Sequence, residues 1–283
     1  MKIPFYKCNS KGNSFIIIFP SRNIALTPNQ IQHICNLSND NRVDGLIYLD
    51  ILDDSNIANM NYYNNDGTWE TFCLNGMACC SLIIQTLDEF NNRVDTIISN
   101  NKKYCFRNFD NNMVEIQLEN PSNMEFSNSS NWYILEKTNF SPMIIDNFLC
   151  YYLNSGARHI VIYSEEDKLF NDDVNLEKIL KKIRYNKLFL PDGVNVNIYR
   201  YKNINTIQVK TYEKGVEAMM SSCSSGSYAC AYHYYKNYLK NKLSSNHKIN
   251  ILNDGGRAEI QFKDDKNLFL SNAEIEYKGE LDI

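Results

Sequence analysis

No stretch of this 283-residue chain stays apolar for anything near the length of a membrane span. The opening Met1-Lys2-Ile3-Pro4 begins no signal peptide. Neither sign of charge dominates. With 29 Lys and Arg against 33 Asp and Glu, the formal net charge is −4, and the scattered cations leave no electrostatic footprint for nucleic acid or an anionic membrane. Histidine is scarce at four copies (His33, His159, His233, His247), and no Cys-x-x-Cys pair occurs, so no metal site is expected. The nine cysteines are odd in number and follow no secretion signal. A disulfide framework is therefore not expected, and a cytoplasmic location is.

What is present is a pair of matching stretches. Tyr63-Asn64-Asn65-Asp66-Gly67 ends a strand and turns, and Cys73-Leu74-Asn75-Gly76-Met77-Ala78-Cys79 leads into an apolar helix. In the second half, Tyr212-Glu213-Lys214-Gly215 precedes Cys223-Ser224-Ser225-Gly226-Ser227-Tyr228-Ala229-Cys230. Either Cys-x-x-Gly alone is ordinary, since cysteine is among the most buried residue types. The repetition of the whole layout gives the pair its weight. A cysteine at a helix start lies beside unpaired N–H groups and the positive end of the dipole, which favour thiolate over thiol. The same N–H groups cradle an anion such as a carboxylate. Two such helix starts supply one thiol to take a proton from a carbon and a second to return one to its other face.

Along the chain, residues 3–8 and 14–19 read as strands flanking the turn Asn9-Ser10-Lys11-Gly12-Asn13. Thr27-Pro28-Asn29-Gln30 has the N-cap, N1 and N3 residues of a helix that runs to about Leu37. Strands are expected at 45–51 and 57–63. The helix after Cys73 is apolar around most of its circumference, so it is expected to be wrapped on nearly every side. Strands at 94–98, 103–108 and 113–118 follow. The chain turns polar around Asn120-Pro121-Ser122, where the domain boundary is placed.

The second half repeats the plan. Strands are expected at 147–153 and 159–163, an amphipathic helix from Asn175 to Tyr185, and strands at 194–201 and 205–212 around Lys202-Asn203. A helix from about Ser224 to Leu239 precedes a hairpin at Asn253-Asp254-Gly255-Gly256 and a last strand at 272–278. The expected organisation is α/β (α+β): residues 1–119 with a returning strand from 271–283, and residues 120–270. Cys79, Cys80 and Cys230 read as core packing, and His159 as structural.

In order, these motifs resemble those of the diaminopimelate epimerases. Lys7 through Phe15 resembles the family's Lys-x-x-Gly-x-Gly-Asn-x-Phe, with Ser10 at the first glycine. Val43-Asp44-Gly45-Leu46-Ile47 resembles Ala-Asp-Gly-Leu-Ile, and Tyr63 to Gly67 resembles Phe-Asn-Ala-Asp-Gly. The Cys73 motif resembles Cys-Gly-Asn-Gly-Ala-Arg-Cys. Tyr212-Glu213-Lys214-Gly215-Val216-Glu217 resembles Tyr-Glu-Arg-Gly-Val-Glu, and Cys223-Ser224-Ser225-Gly226 resembles Cys-Gly-Ser-Gly or Cys-Gly-Thr-Gly.

The resemblance implies two pseudo-symmetric domains, each a curved mixed sheet wrapped around a central helix, with the active site in the cleft between them. It implies a cofactor-independent two-base isomerase, with Cys73 and Cys223 as thiolate base and thiol acid, acting on a small-molecule amino acid. The default substrate is LL- or meso-diaminopimelate, with neither pyridoxal phosphate nor metal, and the protein is expected as a homodimer. The N–H groups of Leu74, Asn75, Ser224 and Ser225 would hold the α-carboxylate. Asn13, Asn64, Asn195, Glu213 and Lys214 fall on positions that line the substrate. Leu74 and Ser224 replace glycines, where an unusual backbone conformation is expected. Lys214 replaces an arginine that would grip a distal carboxylate bidentately. Ala157, Met219 and Met220 also depart from the family's pattern. These changes keep two alternatives open: a racemase of a different amino acid, and a non-catalytic amino-acid-binding homologue.

Overall fold

The computed structural model describes residues 2–20, 25–36, 43–52, 55–87, 93–121, 142–239, 246–263 and 266–282. Its first element is a hairpin of β1 (Lys2–Ser10) and β2 (Asn13–Ile18). The reversal uses Lys11 and Gly12 with φ of 53° and 84°, left-handed at both central positions, a turn geometry that matches the twist of its strands. Asn13 consequently enters the strand rather than the turn, paired with Ser10. α1 (Pro28–Cys35) follows and is started by a capping box: Gln30 N–H donates to Thr27 Oγ1 at 3.3 Å, and Thr27 N–H donates to Gln30 Oε1 at 2.9 Å. Leu37 lies outside the described residues.

β2 runs parallel to β3 (Gly45–Ile51), and β3 antiparallel to β4 (Ile57–Asn64). A two-residue strand, β5 (Trp69–Glu70), folds back on β4 and hands the chain to α2 (Leu74–Thr86). β6 (Thr96–Ser99) lies parallel to β4, and β7 (Lys102–Phe109) and β8 (Met113–Leu118) continue antiparallel.

The second half starts with β9 (Met143–Ile145), β10 (Phe148–Asn154) and β11 (Arg158–Tyr163), followed by α3 (Asp167–Asn171) and α4 (Asp173–Arg184). β12 (Asn195–Asn203), β13 (Thr206–Glu213) and the short β14 (Ala218–Met220) precede α5 (Ser224–Tyr234). β15 (His247–Asn253) and β16 (Gly256–Phe262) follow. The pairings β10–β11, β11–β12, β12–β13, β13–β14, β13–β15 and β15–β16 repeat, in the same order and the same parallel or antiparallel sense, those from β1 to β7.

After β17 (Asn267–Asn272), which pairs with β8, the chain closes with β18 (Glu274–Asp282). β18 lies antiparallel to β1 from Lys2↔Asp282 to Asn9↔Glu274. Two compact units result, Met1–Leu118 with Leu268–Ile283 and Glu119–Asn267.

Both units use strand alternation to bury one helix on each face of a sheet. In the first, Leu46 packs with Ile31, Ile34 and Ile16 under α1, while its neighbour Ile47 points toward Gly76 of α2. In the second, Val196 and Ile198 pack with Leu176, Leu180 and Ile183 of α4, while Asn197 between them points toward Gly226 of α5. Every residue of α2 from Leu74 to Ile84, and of α5 from Ser224 to Tyr234, is buried. Each large apolar side chain so enclosed contributes about 1.5–3 kcal/mol.

Three local expectations need correction. The β12–β13 hairpin reverses at Ile204-Asn205 rather than Lys202-Asn203, because Asn203 pairs with Thr206 and its Oδ1 accepts from Asn205 N–H at 3.0 Å. α5 ends at Tyr234, and the chain widens into a π-helical turn over Tyr235–Leu239. The strand expected at 94–98 begins at Thr96. Among the described residues, no helix is long and apolar enough to cross a membrane.

Candidate active site

Cys73 and Cys223 occupy equivalent places in the two units. Each is the N-cap of the buried central helix and follows a short strand paired to the hairpin before it. Their backbones match, with φ, ψ of −137°, 105° and −126°, 105°. Their carbonyls each accept the first bond of the helix, from Met77 N–H at 2.9 Å and Ser227 N–H at 2.8 Å. The glycine three residues on allows this packing: a Cβ on Gly76 would collide with Ile47, and one on Gly226 with the Asn197 amide. The Cys-x-x-Gly spacing is therefore set by the close approach of helix to sheet.

The two sulfurs have different neighbours. Cys73 Sγ accepts from Gly76 N–H at 3.4 Å, a donor that cannot reverse its role. Cys223 Sγ lies 3.5 Å from Ser225 Oγ, whose hydroxyl can donate or accept. The thiols inside the helices are inert by contrast. Burial pushes Cys79, Cys80 and Cys230 well above the usual thiol range, as their packing role requires.

Around Cys73, the structure joins Asn75, Asn13 and Asp44. The Asn75 amide donates to Asn13 Oδ1, and Asn13 Nδ2 donates to Asp44 Oδ2 at 3.3 Å. Asp44 also accepts from Ser14 N–H at 2.9 Å, which ties the helix start to β2. Asn64 ends β4, buried, with Nδ2 donating to Thr68 Oγ1 at 3.2 Å.

In the second unit, Asn195 clamps two loops: its Nδ2 donates to Arg158 O at 3.2 Å and its Oδ1 accepts from Lys214 N–H at 2.9 Å. Glu213 ends β13 opposite Ala218. Leu74 and Ser224 are buried first residues of their helices, and neither is among the residues with positive φ. The unusual backbone expected of those two glycine replacements is not found, because N1 of an α-helix takes ordinary helical dihedrals.

Two groups of residues were not placed at the site by the sequence: Glu217 and Asn197 were given no role, and His159 was read as structural. Glu217, at φ 56°, holds the 213–217 turn: its Oε1 accepts from Gly215 N–H at 3.1 Å and lies 2.7 Å from Arg184 Nη2, and its Oε2 accepts from the Tyr185 hydroxyl at 2.9 Å. Its place in the Tyr212–Glu217 motif was the available signal. His159 and Asn197 reach the base of the Cys223 loop, with His159 Nε2 at 3.1 Å from Ser225 Oγ. The Asn195-Val196-Asn197 alternation could have flagged Asn197, since it puts Asn197 on the same sheet face as Asn195. Among the described residues, no group of three or more His, Cys, Asp and Glu could hold a metal ion.

The repeated sheet-and-helix plan is a known fold. A hydroxyproline epimerase from Agrobacterium vitis, solved with trans-4-OH-L-proline bound, shares it with a TM-score of 0.67 and 8% identity over 99% of this chain and 91% of that one. In sequence, the chain is 32% identical to the diaminopimelate epimerase of Flavobacterium psychrophilum over 270 residues, 93% of this chain and 92% of that protein. It is 28% identical to that of Aquifex aeolicus, over 95% and 94%. No protein-family model matches it. The protein is an isomerase. The chain belongs to the diaminopimelate epimerase family.

Proposed function

We propose that this protein interconverts the configurations at the α-carbon of an amino acid, with Cys73 and Cys223 as its two proton-carrying groups. The observation that supports the reading is that a member of this family has a cysteine as N-cap of the buried helix in each of its two units. One thiolate takes the α-proton, and the electron pair of the broken C–H bond moves toward the substrate carboxylate. The thiol of the other cysteine then gives its proton to the carbon from the opposite side, so configuration inverts and the two sulfurs end with exchanged protonation states.

An amino-acid α-hydrogen is weakly acidic, so the charge gathering on the carboxylate must be met by fixed donors. The first N–H groups of an α-helix have no acceptor within the helix, and Leu74, Asn75, Ser224 and Ser225 supply such groups beside the two sulfurs. Their helix dipoles add to that field. Asn13, Asn64, Asn195, Glu213 and Lys214 are proposed to line the substrate. No pyridoxal phosphate or metal enters these steps. Diaminopimelate is the default substrate. Lys214, a point charge where an arginine fork would pair with a distal carboxylate, favours testing other amino acids beside it. We also read the protein as a cytoplasmic homodimer.

Incubation in deuterated water with LL-diaminopimelate and a panel of other amino acids tests the reading. Deuterium is expected at Cα of the true substrate together with its epimer, and both are lost in Cys73→Ala and Cys223→Ala. Full activity in either variant would remove the two-thiol assignment. No exchange with any amino acid would favour a binding protein.

A further inference from the structure

At the far end of α5 from Cys223, the second unit holds a cavity of about 330 Å³ lined by Tyr163, Tyr201, Tyr234 and Tyr238 together with Glu165. Four elements bring the rings together. Tyr163 ends β11 opposite Tyr199 of β12, and Tyr201 lies two residues beyond Tyr199. Strand alternation therefore puts Tyr163 and Tyr201 on one face of the sheet. Tyr234 ends α5, and Tyr238 stands in the π-helical turn that follows, a form frequent at functional sites. The Tyr163 ring centre is 5.3 Å from that of Tyr238 and 6.4 Å from that of Tyr201, and Tyr238 is 5.7 Å from Tyr234. Their planes are inclined by 50°, 24° and 31° in turn, so the rings do not form one flat wall. Tyr201 and Tyr238 are 47% and 39% exposed, which leaves the cavity open to solutes.

We propose that this pocket binds a small organic cation with an alkylated ammonium head, held by the tyrosine faces and the Glu165 carboxylate. The face of a tyrosine ring carries partial negative charge and attracts a cation within about 6 Å of its centre. With ring centres this close together, one cation comes within reach of several. Glu165 adds a full charge: the Tyr163 hydroxyl donates to its Oε1, which leaves Oε2 for a ligand. Among the described residues, Glu165 forms no ion pair and no Lys or Arg lines the cavity. Lys236, the cation of the same π-helical turn, is engaged over the Tyr232 ring at 5.3 Å. The volume lies at the low end of the range for small-ligand pockets.

The lining also selects among cations. A hard metal ion takes about six or more oxygen ligands, and the cavity offers one carboxylate. A primary ammonium brings three N–H donors that need acceptors. An ammonium whose hydrogens are replaced by alkyl groups needs none, and its methyl groups meet Ile204 and Leu239, which complete the lining. The Tyr234 hydroxyl is turned to Ile204 O at 3.4 Å. Burial raises the phenols of Tyr163, Tyr234 and Tyr238 above their ordinary value of 10, so these rings stay neutral and Glu165 supplies the charge.

The pocket stands apart from the two-thiol reading, and its test needs no turnover. Saturation-transfer ¹H NMR on the full-length protein measures the binding of choline and of 3,3-dimethylbutan-1-ol, an uncharged copy of choline. Choline is expected to bind saturably and about tenfold more tightly than the alcohol. Ammonium chloride is expected to displace it no better than sodium chloride at equal ionic strength. Glu165→Gln removes the charge and keeps the shape, and Tyr238→Leu removes one ring face and keeps apolar bulk. Both side chains are exposed, so neither change threatens the fold. Each is expected to weaken choline about fivefold and to leave the alcohol unchanged. No saturable choline binding, equal affinity for the alcohol, or choline binding that both variants leave intact would each overturn the cation site. A trimethyl-lysine peptide that bound more tightly than choline would overturn the assignment to a small molecule.

Discussion

At the scale of single residues, buried ionisable groups set how the protein responds to acid. Burial lowers the pKa of His159 to about 3 and of His233 to about 4, against an ordinary value of 6.5. The unfolded chain therefore binds protons that the folded chain refuses between pH 6.5 and about 4, and stability falls as pH falls through that window. Each histidine contributes a slope of about 1.4 kcal/mol per pH unit there. Urea midpoints measured from pH 7 to 4.5 are expected to decline with that slope, and a flat profile would mean these rings take up protons without unfolding.

Glu217 acts in a lower window. Burial alone would push its carboxyl up, but Gly215 N–H, Tyr185 and Arg184 together outweigh it and hold the carboxyl below its ordinary value of 4.5. Its stabilisation is present above that value and is lost as pH falls through the depressed one. Glu217→Gln is expected to cost on the order of 1 kcal/mol at pH 7, because the side chain is partly exposed. It is also expected to leave a shallower acid limb below pH 4.5 in the same urea titration. None of this was legible locally. Arg184 lies at the end of α4 and His159 on β11, each brought to its partner only by the fold.

At the scale of elements, legibility followed the length of the pattern. The apolar circumference of α2 announced a helix enclosed on all sides, and Thr27 with Gln30 announced the start of α1. Those two readings also separate in energy. Ile83, fully buried in α2, is expected to cost 2–5 kcal/mol on truncation to Ala, about the range for a core isoleucine. Thr27→Ala removes one cap and is expected to cost about 1 kcal/mol. Equilibrium denaturation of both variants tests the order, and a cap loss as large as the core loss would contradict it. The short strands β5 and β14 were not read, since Trp69-Glu70 and Ala218–Met220 are too brief to carry an alternation. They are strands only because β4 and β13 supply partners, yet they deliver Cys73 and Cys223 to their helix starts.

At the scale of the whole molecule, the repeat was legible because two motifs carry it, and the returning strand because a last β pattern follows the second set of elements. What the sequence did not reveal is how much of the first unit depends on that return. β18 pairs with β1 over nearly its whole length and adds the Lys7–Glu276 ion pair at 2.8 Å. Leu281 joins Ile3, Phe5 and Ile16 in the cluster beneath α1. The second unit draws its large cluster, from Ile145 to Tyr212, entirely from its own residues. Deleting residues 274–282 is therefore expected to strip hydrogen-exchange protection from β1, β2 and α1 while β11, β12 and α5 keep theirs. Mass-spectrometric exchange on the shortened chain measures this peptide by peptide. Protection lost equally in both sets would mean that the units fold as one cooperative body, and protection kept in both would mean that β1 does not need its partner.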